Sequence, residues 1–388
     1  MKKVVIVTRK MIMGGIEKAL ISMLESMPKD EYDVTVLVMA NGGELIEGIP
    51  SHVKVKCLYG NEKSTIEKVW NNIKKGNFVS SLRIGWYTNL AKNAKTVYEQ
   101  EMYHSKMLPL LDIEYDLAIA YHTPASFPVA YVMNNIKAKT KAAWIHSDVS
   151  QYKRELQPYK EFYQKYDKIF CVSKFALDKF IEMYPNLKEK TTVFYNIIDE
   201  RKLETMTVKS EGFNDQFNGT RILTVGRLTS QKGQDIIPRI LIKLKAQGIN
   251  VKWYCLGDGE KRSELQNLIK KHNLEEYFIL LGIKNNPYPY VKECDVYVQP
   301  SRHEGYCITL AEARAFNKPI VTTDFVGARE QIEHGENGLI TKFDEKELFS
   351  AIKVLIENVN LRYKFENNLK KENVNTTSEI KKLNDCFR

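Results

Sequence analysis

Two carboxylates eight residues apart, Glu304 and Glu312, and two cations five residues apart, Arg227 and Lys232, are the residues whose types and spacing suggest chemistry. Glu304 stands in Ser301-Arg302-His303-Glu304-Gly305-Tyr306-Cys307, after the strand-like run Asp295–Gln299 and before a helical run from Ile308 to Ala315. This order puts Glu304 on a loop at a strand's carboxyl end and Glu312 two turns into the next helix. The helix start aims free backbone N–H groups, and the positive end of its dipole, at that loop. Two glutamates beside an anion site fit a ligand that is part anion and part hydroxyl, such as a nucleotide-diphosphate sugar. The plain alternative is a pair of solvated surface glutamates. Arg227 and Lys232 follow Gly226 at the end of another strand-like run. They fit a diphosphate, arginine as a fork and lysine as a point charge; a basic loop touching nothing is the alternative.

The elements that must position these residues read as two successive series of alternating strands and helices, the pattern of parallel α/β sheets. The first series has candidate strands Lys3–Thr8, Asp33–Met39, Val53–Cys57, Asp116–Ala120, Lys141–His146, Lys168–Val172 and Thr191–Phe194. Val4 to Val7 form an unbroken apolar run, as a strand covered on both faces requires. Gly14 and Gly15 then precede a helix over Ile16–Met27, at the kind of strand end where such sheets bind ligands. The pattern is not G-x-G-x-x-G, so a dinucleotide fingerprint is absent and a simple tight turn stays open. His146 ends its strand at the same edge, where a buried, hydrogen-bonded histidine is the plain reading. Ser173 reads as a helix N-cap. After a polar linker near Asn196–Gly219 the second series runs through Arg221–Val225, Val251–Leu256, Tyr277–Leu281, Asp295–Gln299 and Pro319–Thr323. Domains are expected over 1–198 and 199–370, with 371–388 a helix and 60–110 an insert in the first domain.

That insert carries Lys68, Lys74, Lys75, Arg83, Lys92 and Lys95 interleaved with Trp70, Phe78, Trp86 and Tyr87, an amphipathic surface suited to anionic lipid or a packed helix pair with a solvated basic face. The formal net charge of +10 admits nucleic acid, anionic lipid or anionic substrate as partner. No zinc finger, RNP-like motif or heptad supports nucleic acid. The six cysteines form no C-x-x-C pair and read as reduced packing residues. No H-E-x-x-H pattern occurs, so no dedicated metal site is expected. No run approaches the roughly 20 apolar residues of a membrane span. The apolar start is cut by Arg9 and Lys10, so it reads as a strand rather than a signal peptide, and a cytoplasmic protein is expected.

The stretch from Ser301 to Ala313 resembles the E-x7-E signature of the retaining glycosyltransferases of family 4. Asn317–Asp324, Gly327–Ile332, His334–Ile340 and Val225–Gly233 resemble the family's neighbouring motifs, in order, and Gly14–Leu20 resembles its start. The resemblance implies a GT-B fold of two Rossmann-like domains facing across a cleft, a nucleotide-sugar donor, more often UDP-linked, and no metal or other cofactor. It implies a C-terminal helix crossing back to the first domain. It implies Glu304 on the donor sugar, helped by backbone N–H groups of Gly305, Tyr306 and Cys307, and Glu312 on the ribose. Ile283 or Lys284 would lie beside the base, Gly14 and Gly15 near the phosphates, and His146 near the sugar. Gly226, Arg227, Lys232 and the helix start at Ile308 would hold the diphosphate. Tyr306-Cys307 replaces the family's commoner aromatic-Gly pair, which bears on the sugar accepted. The acceptor implied is a lipid-linked glycan of bacterial capsule, exopolysaccharide or cell wall, reached from the inner face of the membrane. A dehydrogenase, a GT-B epimerase and a non-catalytic binding subunit are the rivals; the first lacks its fingerprint, and the last would have lost the four charged residues.

Overall fold

The computed structural model describes residues 1–40, 42–59, 70, 73–74, 76–108 and 110–387. It divides into two compact units, Met1–Ile197 with Ser378–Arg388, and Ile198–Thr377.

In the first unit the described strands are β1 Lys2–Thr8, β2 Tyr32–Val38, β3 Lys54–Cys57, β4 Glu114–Thr123, β5 Lys137–Ile145, β6 Lys168–Cys171 and β7 Thr191–Val193. They form one parallel sheet in the order β3-β2-β1-β4-β5-β6-β7. Val4, Val5, Ile6 and Val7 are fully buried, because helices cover both faces. Ser173 caps its helix by accepting from the Ala176 N–H at 3.1 Å. Among its described residues the insert supplies two helices, Phe78–Lys92 and Val97–Met107, packed together with Tyr87 stacked on Tyr103.

The second unit holds β8 Thr220–Val225, β9 Val251–Leu256, β10 Phe278–Gly282, β11 Val296–Gln299, β12 Ile320–Thr323 and β13 Leu339–Thr341. Their order is β10-β9-β8-β11-β12-β13, again all parallel. This is the doubly wound arrangement, whose strand order reverses between β8 and β11 and whose ligands bind beyond the strand ends there. The loops after these two strands carry Arg227 and Lys232, and Glu304, respectively.

Three expectations change. The linker contains a helix, Glu200–Thr207, capped by Asp199. β13, only three residues long, begins at the end of the His334–Ile340 motif and adds a strand to the five expected in this series. The C-terminal stretch Thr377–Cys386 is 3-10 rather than α-helical. Within the first unit, Glu379 accepts from the Tyr195 N–H at 2.9 Å and Asn384 from Lys2 Nζ at 3.0 Å.

Candidate active site

In the second unit two loops are locked together. Arg302 forks onto Asp235 with two 2.7 Å hydrogen bonds and donates a third to the Ser230 carbonyl. The Arg302 N–H donates to the Gln231 carbonyl, and Gln231 Nε2 donates to the His303 carbonyl. Gly233 closes the 3-10 turn Ser230–Lys232 in a left-handed conformation, φ +71°. A Cβ there would collide with the Pro300 carbonyl oxygen and lie 2.7 Å from the Phe343 ring.

This lock brings Lys232 Nζ to 2.5 Å from Glu304 Oε1, with side-chain exposures of 15% and 9%. The sequence assigned the lysine to a phosphate and the glutamate to a sugar; the structure makes them one ion pair. Burial pushes the Lys232 amine down, but the charge of Glu304 and the hydrogen bond to it outweigh this, leaving the amine above its ordinary value. The lysine stem lies against Gly226, where a Cβ would meet its Cδ and Cε at 3.3 Å. Arg227 is exposed and makes no ion pair among the described residues. Ser301 Oγ donates to the same Glu304 oxygen at 2.8 Å, so both protein donors converge on Oε1.

The helix runs over Ile308–Ala315, so Glu312 lies little more than one turn in, not two. Cys307 precedes it as a left-handed N-cap, φ +64°, a conformation that favours glycine and that here carries a side chain. Burial pushes its thiol up to about 12, so it is a neutral packing group, with Sγ 3.4 Å from Thr309 Oγ1. Gln331 Nε2 donates to the Tyr306 carbonyl, holding the turn through Gly305. Glu312 is buried and accepts from the Tyr288 hydroxyl at 2.9 Å. Ile283 and Lys284 are exposed just beyond β10.

The first unit gathers a second polar group at its sheet's carboxyl edge. Gly14 is extended and Gly15 begins the helix Gly15–Ser26. Glu17, buried in that helix, has Oε1 3.9 Å from His122 Nδ1. Burial, with a smaller contribution from His122, pushes the His146 ring down to about 3. Burial and the Arg9 charge push His122 down to about 4. Both rings are therefore neutral at pH 7. His146 Nε2, His122 Nδ1 and Thr8 Oγ1 are buried without hydrogen-bond partners among the described residues. Glu17 and His122 went unread in the sequence; the signal was Glu17 inside the Gly14–Leu20 motif and a histidine at the carboxyl end of an apolar strand.

The family described as glycosyl transferases group 1 matches residues 208–372. An uncharacterized glycosyltransferase of Methanocaldococcus jannaschii is 30% identical over 304 residues, 66% of this chain and 75% of that protein. The N-acetylgalactosamine-N,N'-diacetylbacillosaminyl-diphospho-undecaprenol 4-alpha-N-acetylgalactosaminyltransferase of Campylobacter jejuni is 34% identical over 210 residues. That alignment spans 54% of this chain and little more than half, 56%, of the relative. Among solved structures, Anabaena HepE in complex with UDP and glucose superposes with a TM-score of 0.74 at 18% identity, covering 99% of both chains. TarM of S. aureus gives 0.73 at 14% identity, covering 100% of both. These likenesses show the GT-B fold.

Proposed function

The chain belongs to the group 1 glycosyltransferases, and we propose that it is a retaining, metal-independent enzyme moving a hexose or N-acetylhexosamine from a UDP-sugar to a lipid-linked glycan. The product would enter bacterial capsule, exopolysaccharide or cell-wall polymer. The observation that carries this reading is the buried Lys232–Glu304 pair beside an exposed Arg227 and a helix start. A nucleotide sugar presents hydroxyls to the carboxylate and a diphosphate to the cations. When the C1–O bond breaks, charge grows on the diphosphate, and cations placed there stabilise the transition state more than the ground state. Glu304 Oε1 already accepts two hydrogen bonds. A carboxylate so engaged is a weak nucleophile, which supports a front-face route. There the acceptor oxygen bonds C1 from the side the diphosphate leaves, and its proton passes to the leaving diphosphate oxygen. The UDP donor is supported by the HepE complex, and the lipid-linked acceptor by the diphospho-undecaprenol in the Campylobacter relative's name.

The two glutamates separate these roles. Glu312→Gln is expected to weaken UDP binding about 10- to 100-fold, since a charge-assisted hydrogen bond is worth roughly 1.5–3 kcal/mol. Glu304→Gln is expected to leave UDP affinity unchanged or raise it, because Lys232 loses its competing anion, while turnover of the UDP-sugar falls about 100-fold. Calorimetry with UDP and UDP release from a panel of UDP-sugars, both in EDTA, measure this. Equal losses of UDP affinity would contradict the roles, and dependence on added Mg²⁺ would contradict the metal-free clamp.

A membrane-docking face is also proposed, on a surface that differs from the basic one read in the sequence. Lys68 and Lys75 lie outside the described residues, and Arg83 is half-buried. What the helix Phe78–Lys92 exposes is apolar: Phe78 62%, Val79 81%, Leu82 75% and Trp86 68%, with Lys74 and Lys92 exposed nearby. No helix among the described residues is long and apolar enough to cross a membrane. We infer peripheral docking on anionic lipid through this face. Burying each such side chain is worth roughly 1.5–3 kcal/mol. Leu82→Ser with Trp86→Ser is therefore expected to weaken partitioning onto anionic vesicles by about 100-fold or more while UDP binding stays intact. Unchanged co-sedimentation would remove this face from the account.

A further inference from the structure

β11 carries polar residues on one face where a strand packed on both sides should be apolar. Tyr297, Gln299 and Ser301 alternate along it and its extension, and their exposures are 0%, 0% and 1%. Buried amides and hydroxyls cost free energy unless hydrogen-bonded, so their presence calls for partners. The partners form a chain. The Tyr297 hydroxyl donates to Gln299 Oε1 at 2.9 Å, and Thr309 Oγ1 donates to the same oxygen at 3.3 Å. Gln299 Nε2 donates to Ser301 Oγ at 2.8 Å, and Ser301 Oγ donates to Glu304 Oε1 at 2.8 Å.

We propose that Gln299 is a positioning residue for Glu304, setting through Ser301 the orientation of the carboxylate that receives the donor sugar. This rests on the role given to Glu304 above.

The chain's direction is forced from its end. A carboxylate only accepts, so the Ser301 hydroxyl must spend its single hydrogen on Glu304 and must itself accept from Gln299. The amide nitrogen of Gln299 therefore faces Ser301 and its oxygen faces Tyr297 and Thr309. Turning the amide over would place two acceptors against each other at Ser301, or take its hydrogen from Glu304. Burial pushes the Tyr297 phenol well above its usual value, so it remains a donor. The backbone is pinned at the same place: the Thr322 hydroxyl donates to the Gln299 carbonyl at 3.2 Å, and the Thr323 hydroxyl to the Ser301 carbonyl at 2.5 Å. Lys232 alone would leave Glu304 free to pivot about one flexible partner. Lys232 and Ser301 together fix Oε1 from two sides, which leaves Oε2 for the ligand. Sugar contacts that must strengthen at the transition state need such preorganisation.

The test is a double-mutant cycle. Gln299→Leu replaces the amide by an apolar group of similar size in a buried strand, and Ser301→Ala removes the last donor with less change still. Each is expected to lower UDP release from the UDP-sugar that wild-type protein uses best by about 10- to 30-fold. UDP affinity by calorimetry should stay within about threefold, because UDP has no sugar for Glu304 to hold. The double variant should be no worse than either single variant, since both cut one chain. Losses that multiply would show independent packing effects and overturn the proposal. So would full turnover in Gln299→Leu while Glu304→Gln is impaired; full turnover in Glu304→Gln would instead overturn the role of Glu304 itself. Ser301→Ala keeps the question decidable if Gln299→Leu fails to fold.

Discussion

Lys232→Ala is expected to lower turnover by two to three orders of magnitude and to weaken UDP binding. The residue does two things at once. In the proposed reaction it places a charge where the leaving diphosphate gains charge, and loss of one such preorganised donor typically costs about 100- to 1,000-fold in rate. It also neutralises Glu304, whose side chain is 9% exposed. Removing one partner of a buried pair strands the other, at roughly 3–5 kcal/mol of stability. The two effects are separable. Adding Glu304→Gln to Lys232→Ala removes the stranded charge, so the melting temperature should recover while turnover does not. Lys232→Arg should not restore activity, because the stem lies against Gly226 and a planar fork is not a compact ammonium. Steady-state kinetics, UDP calorimetry and thermal unfolding of the four proteins test this. A Lys232→Ala protein with parental turnover and UDP affinity would take the lysine out of the diphosphate site.

The sheets were legible because parallel strands buried on both faces print continuous apolar runs, and those runs survive without knowledge of the fold. β9 matches its expected limits, and most other strands shift by a few residues at their ends. β13 escaped because three residues give no period and sit among turn-forming glycines and asparagines. At the site, residue types and loop positions could be read, since glycine-bounded loops after strands announce themselves. The pairings could not. Lys232 and Glu304 are 72 residues apart, and they become neighbours through contacts between the two loops, among them the Arg302–Asp235 fork and the close approach at Gly233. Gln299 was visible as one polar residue in an apolar run, but its meaning depends on Ser301 accepting from it, which no spacing rule states. His122 and Glu17 show the same limit: each alone reads as an ordinary buried or surface residue, and only the sheet edge brings them within 3.9 Å.

Gly233→Ala should be among the most destructive small substitutions in the second unit. The residue adopts φ +71°, where an alanine costs roughly 1–2 kcal/mol. Its Cβ would also run into the Pro300 carbonyl oxygen and meet the Phe343 ring at 2.7 Å. Backbone oxygen cannot turn aside as a side chain can, so the loop after β8 must part from the loop after β11. That parting pulls Lys232 from Glu304, since Lys232 is the adjacent residue. Strain and clash together are expected to cost about 3 kcal/mol or more, a fall of roughly 6–12 °C in melting temperature for a unit of this size, with UDP binding lost. Gly248→Ala is the matched control. It has φ +69° but nothing within 4 Å of a Cβ, so it carries the strain without the clash. It should cost about 1 kcal/mol and leave UDP affinity at the parental value. Comparing the two by thermal unfolding and calorimetry isolates what the contact between the loops contributes. Equal losses in both variants would mean that backbone conformation, and not the meeting of the two loops, sets the geometry of Lys232 and Glu304.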